Sequence, residues 1–297
     1  MKYYIFLTLA VFFWSGNFVF GRLVSTDVEP MQLSFFRWFF VLLILSPYLI
    51  YRSKHIMKVF KKEYLWLVFF GIFGIAGFNT FLYYGLQTTT ATNALLINSS
   101  IPIMIIVLSS ILLKTRITKI QSLGIGLSTL GVIFLILKGS FENILTLEFT
   151  NGDLWILLAG VDWALYSVLL RFKPKELNAF DFLSVTAFIG MIVLTSGFYA
   201  LGYSFELSFL DKQSVLYSFI YMVVFPSILS FYFWNIATVE VGASKAGQFT
   251  HLMPIFGAIL AFIFLGERLQ SYHFLGITFI ALGIYLSLFL KTKKVRV

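Results

Sequence analysis

Two formal charges lie well inside long apolar stretches of this 297-residue chain, Asp162 and Arg37. A charge at mid-bilayer costs at least about 2.5–3.5 kcal/mol on insertion scales, so such groups mark solute sites, proton relays or helix-to-helix pairs. Asp162, near the middle of its stretch, reads either as a proton or amine site in a central cavity or as a structural group. In the second case it pairs with Arg37 or is capped by hydroxyls. Arg37, a third of the way into its own stretch, fits a solute carboxylate, a pair with Asp162, or a side chain snorkelling to the headgroups. His251 stands three residues before Pro254. Proline removes a backbone hydrogen bond and frees carbonyls to face a cavity, so His251 is either a titrating group or a neutral hydrogen-bonding partner. Uncharged polar residues cluster on a few stretches: Asn17, Asn79, Tyr83, Asn93, Asn98, Asn235, Gln248 and Thr250. Their convergence points to a shared cavity, against the alternative of separate interhelical hydrogen bonds. Trp14 and Trp163 lie too deep in their stretches to be interface anchors.

Composition removes several chemistries. Hydrophobic residues make up 59% and charged residues 12%, against about 25% charged in soluble domains, so the chain belongs in lipid. With no Cys and three His, neither a thiolate nucleophile, a disulfide framework nor a metal site is expected. No H-E-x-x-H motif or second intramembrane Asp is available, so a polytopic membrane enzyme is the weaker reading. A channel, which builds its filter from repeated carbonyls or charge rings, is weaker too. The net charge of +9 is an orientation signal rather than a nucleic-acid footprint.

The elements that must position these residues are ten apolar spans, each near the roughly 20 residues needed to cross ~30 Å of hydrocarbon. They run 3–22, 31–51, 64–86, 91–113, 121–138, 154–171, 181–201, 214–236, 243–265 and 272–290. With the N-terminus cytoplasmic, 17 of the 22 Lys and Arg fall on the cytoplasmic side; Arg22, Lys138, Lys212 and Arg268 fall outside and Arg37 within a span. That bias places both termini in the cytoplasm. Shifted by 152 residues, Pro102 falls on Pro254, Gly124 on Gly276, Gly131 on Gly283 and Tyr83 on Asn235; shifted by 149, Trp14 falls on Trp163. The expected fold is therefore an all-α polytopic membrane protein with ten transmembrane helices in two inverted five-helix repeats, residues 1–138 and 154–297, joined by 139–153. Glycines repeating every seven residues along the fifth and tenth spans give a small face for close packing, and those spans are expected to serve as scaffold rather than cavity wall.

Trp14-Ser15-Gly16-Asn17, the mid-span prolines and Gly266-Glu267-Arg268, in register over nearly the whole chain, resemble the drug/metabolite transporter superfamily, EamA-type family. The first-half counterpart of Gly266-Glu267-Arg268 is Lys114-Thr115-Arg116, so the Gly-Glu signature occurs once and the two gates differ chemically. The resemblance implies a secondary active transporter in the cell membrane, not an enzyme. It implies an exporter of an amino-acid-like or amphipathic metabolite, working by alternating access, and it makes Trp14 and Trp163 gate residues. Expected partners are the solute, the lipid bilayer and protons as coupling ion, in a monomer or weak homodimer without cofactor or metal.

Overall fold

A computed structural model describes residues 1–89, 91–115, 117–265 and 270–289. Hydrocarbon offers the backbone no hydrogen-bond partners, so a spanning chain must close its own bonds. Accordingly the described residues are helical and contain no strand. In chain order they form α1 (Lys2–Val24), α2 (Pro30–Phe70), a π-helical turn (Gly71–Gly77), α3 (Phe78–Thr88), α4 (Ala91–Asn98), α5 (Ile101–Leu113) and α6 (Lys119–Ile136). There follow α7 (Asn151–Leu169), α8 (Ala179–Ala200), α9 (Gln213–Met222), a second π-helical turn (Val223–Leu229) and α10 (Ser230–Val241). The chain continues through α11 (Ala243–Gly247), a 3₁₀ segment (Gln248–Leu252), α12 (Met253–Leu265) and α13 (Ser271–Phe289).

Among the described residues eight helical stretches are long and apolar enough to cross a membrane. The second and third expected spans lie in one 59-residue stretch, Pro30–Thr88, about 90 Å if straight at 1.5 Å per residue. The expected loop at 52–63 is itself helical: Ile56 and Val59 are buried on one side while Lys54, Lys58, Lys61 and Lys62 are exposed on the other. The backbone leaves helical geometry at Glu63 (φ −121°, ψ 23°). The ninth expected span, 243–265, is interrupted by the 3₁₀ segment just ahead of Pro254, where the proline ring lacks an N–H and crowds the preceding turn.

The interruptions recur at a fixed interval. The first π-helical turn, α3, α4, α5 and α6 begin at residues 71, 78, 91, 101 and 119; the second turn, α10, α11, α12 and α13 begin at 223, 230, 243, 253 and 271, each 152 residues later. Within the described residues, α6 and α13 cross glycine to glycine. A Cβ added at Gly124 would stand 2.5 Å from the Gly283 carbonyl oxygen, and one at Gly131 would stand 2.9 Å from that of Gly276. α2 lies along α8 and is fastened to its first turn by Arg52, whose Nε and Nη2 donate to Asp181 Oδ1 and Oδ2, each at 3.0 Å. Tyr48 Oη donates to the same carboxylate at 3.1 Å. On the far side Lys212 Nζ reaches Asp27 at 2.8 Å.

Because neighbouring backbone fills the space at the α6–α13 crossing, Gly124→Val should lower stability by about 1–3 kcal/mol, the usual cost of overpacking. Gly126 has open space where a Cβ would sit, so Gly126→Ala should be neutral or stabilising, by up to about 1 kcal/mol of helix propensity. Thermal unfolding of the detergent-solubilised protein checks both.

Candidate functional site

The first π-helical turn carries Gly71, Gly74 and Gly77, three residues apart. A side chain at Gly74 would collide with Tyr166, and a Cβ at Gly77 would stand 2.6 Å from Asp162 Oδ1. The absent side chains thus let α7 press Tyr166 and Asp162 against this turn. Asp162, 5% exposed, takes a backbone hydrogen bond from Phe78, and its Oδ2 has no partner.

The second π-helical turn works through Pro226. Proline takes away the N–H that would bond the Met222 carbonyl four residues back, and Ser227 Oγ donates to that carbonyl instead, at 2.6 Å. The Pro226 carbonyl accepts from Trp14 Nε1 at 2.9 Å, and Ser230 Oγ donates to the Ala10 carbonyl at 3.0 Å. Hydroxyls and an indole therefore tie the broken helix to α1.

Arg37 is 0% exposed and surrounded by neutral groups. Its Nε donates to Ser227 Oγ at 2.6 Å, and its Nη1 lies 3.2 Å from Asn17 Oδ1, 2.9 Å from Asn79 Oδ1 and 2.5 Å from Tyr83 Oη. Its Nη2 is buried without a partner. The pair with Asp162 weighed from sequence is not formed: the ion pairs among the described residues are Arg52–Asp181, His55–Asp181 and Lys212–Asp27. Asp162 and Arg37 are instead claimed separately, by the Phe78 backbone and by the amide and hydroxyl cage. Snorkelling is likewise set aside by the complete burial of Arg37.

A central cavity of about 30 Å³ is walled by Trp14, Asn17, Asn79, Asn98, Trp163 and Thr250 together with apolar side chains. That volume holds about one water molecule, too little for a metabolite. The structure thus brings six of the sequence-expected residues, Trp14, Asn17, Asn79, Asn98, Trp163 and Thr250, to one wall. Asn98 leaves both amide atoms unpartnered, and Asn79 leaves its Nδ2 so. Arg37 and Tyr83 stand one layer behind Asn17 and Asn79, and Asp162 stands behind Phe78. The Trp14 and Trp163 rings meet edge to face at 4.9 Å, and Trp234 packs on both. Trp163 stacks on Tyr166, whose Oη donates to Asn235 Oδ1 at 2.7 Å, so Asn235 stands apart from the Arg37 cage that holds its repeat counterpart, Tyr83.

His251 is fully buried, with Nε2 donating to the Ser99 carbonyl at 3.1 Å and Nδ1 2.8 Å from Ser128 Oγ. Both ring nitrogens are engaged and neither cavity includes it, which favours the hydrogen-bonding role over the titrating one. The partner carbonyl belongs to the residue 152 positions earlier, at the break between α4 and α5. Gly266, Glu267, Arg268, Arg116 and the side chain of Asn93 lie outside the described residues.

A second, larger cavity of about 360 Å³ opens where α5, α7 and α10 end and α6 and α11 begin. Gln248 belongs to this vestibule rather than to the central cavity. Its wall also includes Gln121 and Ile125 of α6, which corrects the expectation that the fifth span is scaffold alone: these two side chains flank Gly124, which packs on α13. Sequence reasoning missed Ser109, Ser167 and Thr238 in this wall, and read Arg171 and Lys245 only as orientation signals. The legible clue was the Ser167–Arg171 spacing, one helical turn, at the end of α7.

Comparisons with known proteins agree with this architecture. The profile of the EamA-like transporter family matches the chain twice, over residues 1–137 and 150–289. The uncharacterized transporter YyaM of Bacillus subtilis (strain 168) is 29% identical over 96% of this chain and 92% of its own length. An uncharacterized transporter of Archaeoglobus fulgidus is 27% identical over 96% of this chain and 97% of its own. A solved crystal structure shares the fold with a TM-score of 0.75 at 17% identity, covering 96% of this chain and 95% of the other.

The cage around Arg37 carries its own test. Tyr83→Phe removes a hydroxyl that partners a buried cation and should cost about 1.5–3 kcal/mol. The exposed pair of Gln213 with Tyr217 serves as control, and Tyr217→Phe should change stability by less than about 0.5 kcal/mol. Unfolding in detergent, followed by tryptophan fluorescence, measures both.

Proposed function

The chain belongs to the EamA-like transporter family, and from that premise we propose that it is a secondary active transporter exporting a small amino-acid-like or amphipathic metabolite across the cell membrane. The family and the names of its relatives point to transport rather than to an enzyme. In this reading ten spans form two inverted five-helix repeats, 1–138 and 154–297. The twofold family match and the element starts repeating every 152 residues support it. The large count of bases on one side supports cytoplasmic termini, and hence a vestibule that faces the cytoplasm. The protein works as a monomer or weak homodimer.

The observation that carries the proposal is a narrow central cavity with two buried ionisable side chains behind its wall, one acidic and one basic, that do not pair. Each costs insertion energy and neither is neutralised by the other, so both are held for something that comes and goes. A zwitterionic solute fits: Arg37 for its carboxylate, and Asp162 for its amine or for a coupled proton. Trp14 and Trp163 close over it. Rocking of the halves about the π-helical turns and the α4–α5 and α11–α12 breaks opens the cavity alternately to each side.

Reconstitution in liposomes tests this, with the solute found by comparing metabolite efflux and uptake in cells lacking and overproducing the chain. Preloaded solute should accelerate entry of labelled solute. Asp162→Asn should fold normally yet lose pH-dependent transport; full pH-dependent activity in that variant overturns the role of Asp162.

A further inference from the structure

The vestibule holds chemistry that the central residues leave unused. Four polar side chains in its wall, Ser109, Ser167, Thr238 and Gln248, are between 1% and 3% exposed, and each has a side-chain oxygen without a hydrogen-bond partner. Hydroxyls in helices ordinarily satisfy themselves on the carbonyl one turn back. Ser15, Thr186, Thr195 and Ser218 of this chain do so, at 2.7–2.8 Å; Ser109, Ser167 and Thr238 do not. A buried hydroxyl left unbonded is costly, and three of them on α5, α7 and α10, in the wall of one cavity, amount to a set of donors awaiting an acceptor. Gln248 Nε2 is spent on the Ser244 carbonyl at 3.3 Å, leaving Gln248 Oε1 as an acceptor.

Charge gives the wall its sign. Arg171 and Lys245 both line the vestibule, and among the described residues no carboxylate does. Glu240, between two lining valines, is exposed and outside the lining. The volume of about 360 Å³ falls in the range of small-molecule sites. We propose that this vestibule is a binding site for a small organic oxyanion. The anionic group sits between Arg171 and Lys245, and the rest of the molecule is hydrogen-bonded by Ser109, Ser167, Thr238 and Gln248. As an entry site it rests on the transporter reading and gives that transporter its substrate class; as a binding site it stands independently.

The test is equilibrium binding of radiolabelled succinate and of radiolabelled orthophosphate to the purified full chain in detergent, with the diamine putrescine and glycerol as competitors. Saturable binding of at least one anion is expected, weakened at least tenfold by Arg171→Gln or Lys245→Gln, weakened several-fold by Thr238→Val, and recovered in Arg171→Lys. Succinate binding alone identifies a carboxylate solute, phosphate binding alone a phosphate ester, and competition between the two a general oxyanion site. The proposal is overturned if neither anion binds saturably, if putrescine competes as well as succinate does, or if the two charge-removing variants bind unchanged. In the last case Arg171 would merely complement the helix dipole at the end of α7. Size-exclusion chromatography selects folded variants, and should Arg171→Gln not fold, Lys245→Gln and Thr238→Val decide alone. Saturable binding without counterflow in liposomes would overturn the transporter reading and leave this site standing; counterflow restricted to cationic solutes would do the reverse.

Discussion

Lipid tails offer a peptide group nothing to bond, and the rest of this structure follows from how the chain meets that demand. Most of it does so by staying helical. The interesting places are where it does not: two π-helical turns, the break between α4 and α5, and the 3₁₀ segment before α12. Each leaves backbone groups to be satisfied from elsewhere, and the partners come from other helices. Trp14 supplies one at the second turn, where Ser227 bonds the Met222 carbonyl from within the turn itself, and His251 supplies one at the Ser99 carbonyl. Broken helices are therefore cross-linked helices, and one of the cross-linking side chains, Trp14, lines the central cavity.

The charges obey the same economy. Arg52 and Asp181, near the end of the bundle, form a bidentate pair with Tyr48. Deeper in, Arg37 receives only dipoles: two amide oxygens and two hydroxyls, with one guanidinium nitrogen over. Dipoles hold a cation in place without cancelling its charge. A buried carboxylate partner would have made Arg37 a structural fixture, whereas a neutral cage keeps its field available to a visiting group.

How much of this was legible depended on whether a residue's meaning is local. Span lengths, the 152-residue recurrence and the small faces on α6 and α13 follow from periodicity, and they were readable. Asn17, Asn79, Asn98, Trp14 and Trp163 were found as a set because polar or bulky groups deep in apolar stretches are rare. The helical continuity of 52–63 was missed because lysines there suggest a loop, although Ile56 and Val59 already held a helical spacing. Partner choice was not readable: Arg37 and Asp162 invited pairing by charge, and only the glycine-lined turn around Asp162 and the amides around Arg37 keep them apart. Ser109, Ser167 and Thr238 gave no sign, since a hydroxyl in a membrane helix ordinarily bonds its own backbone.

The glycine crossing of α6 with α13 has a consequence for the protein's ancestry. Gly124 meets Gly283 and Gly131 meets Gly276, while the 152-residue interval pairs Gly124 with Gly276 and Gly131 with Gly283. Such an exchange of partners is the signature of an isologous interface, in which one surface binds a copy of itself about a two-fold axis. In the proposed duplication, then, the crossing is a homodimer contact enclosed in one chain. A free half-length ancestor would have needed to insert into the membrane in both orientations to make it. Fusion removed that requirement and fixed the stoichiometry. It also lets the two copies differ, with Asp162 in one at the position of Phe13 in the other, a divergence no homodimer could sustain.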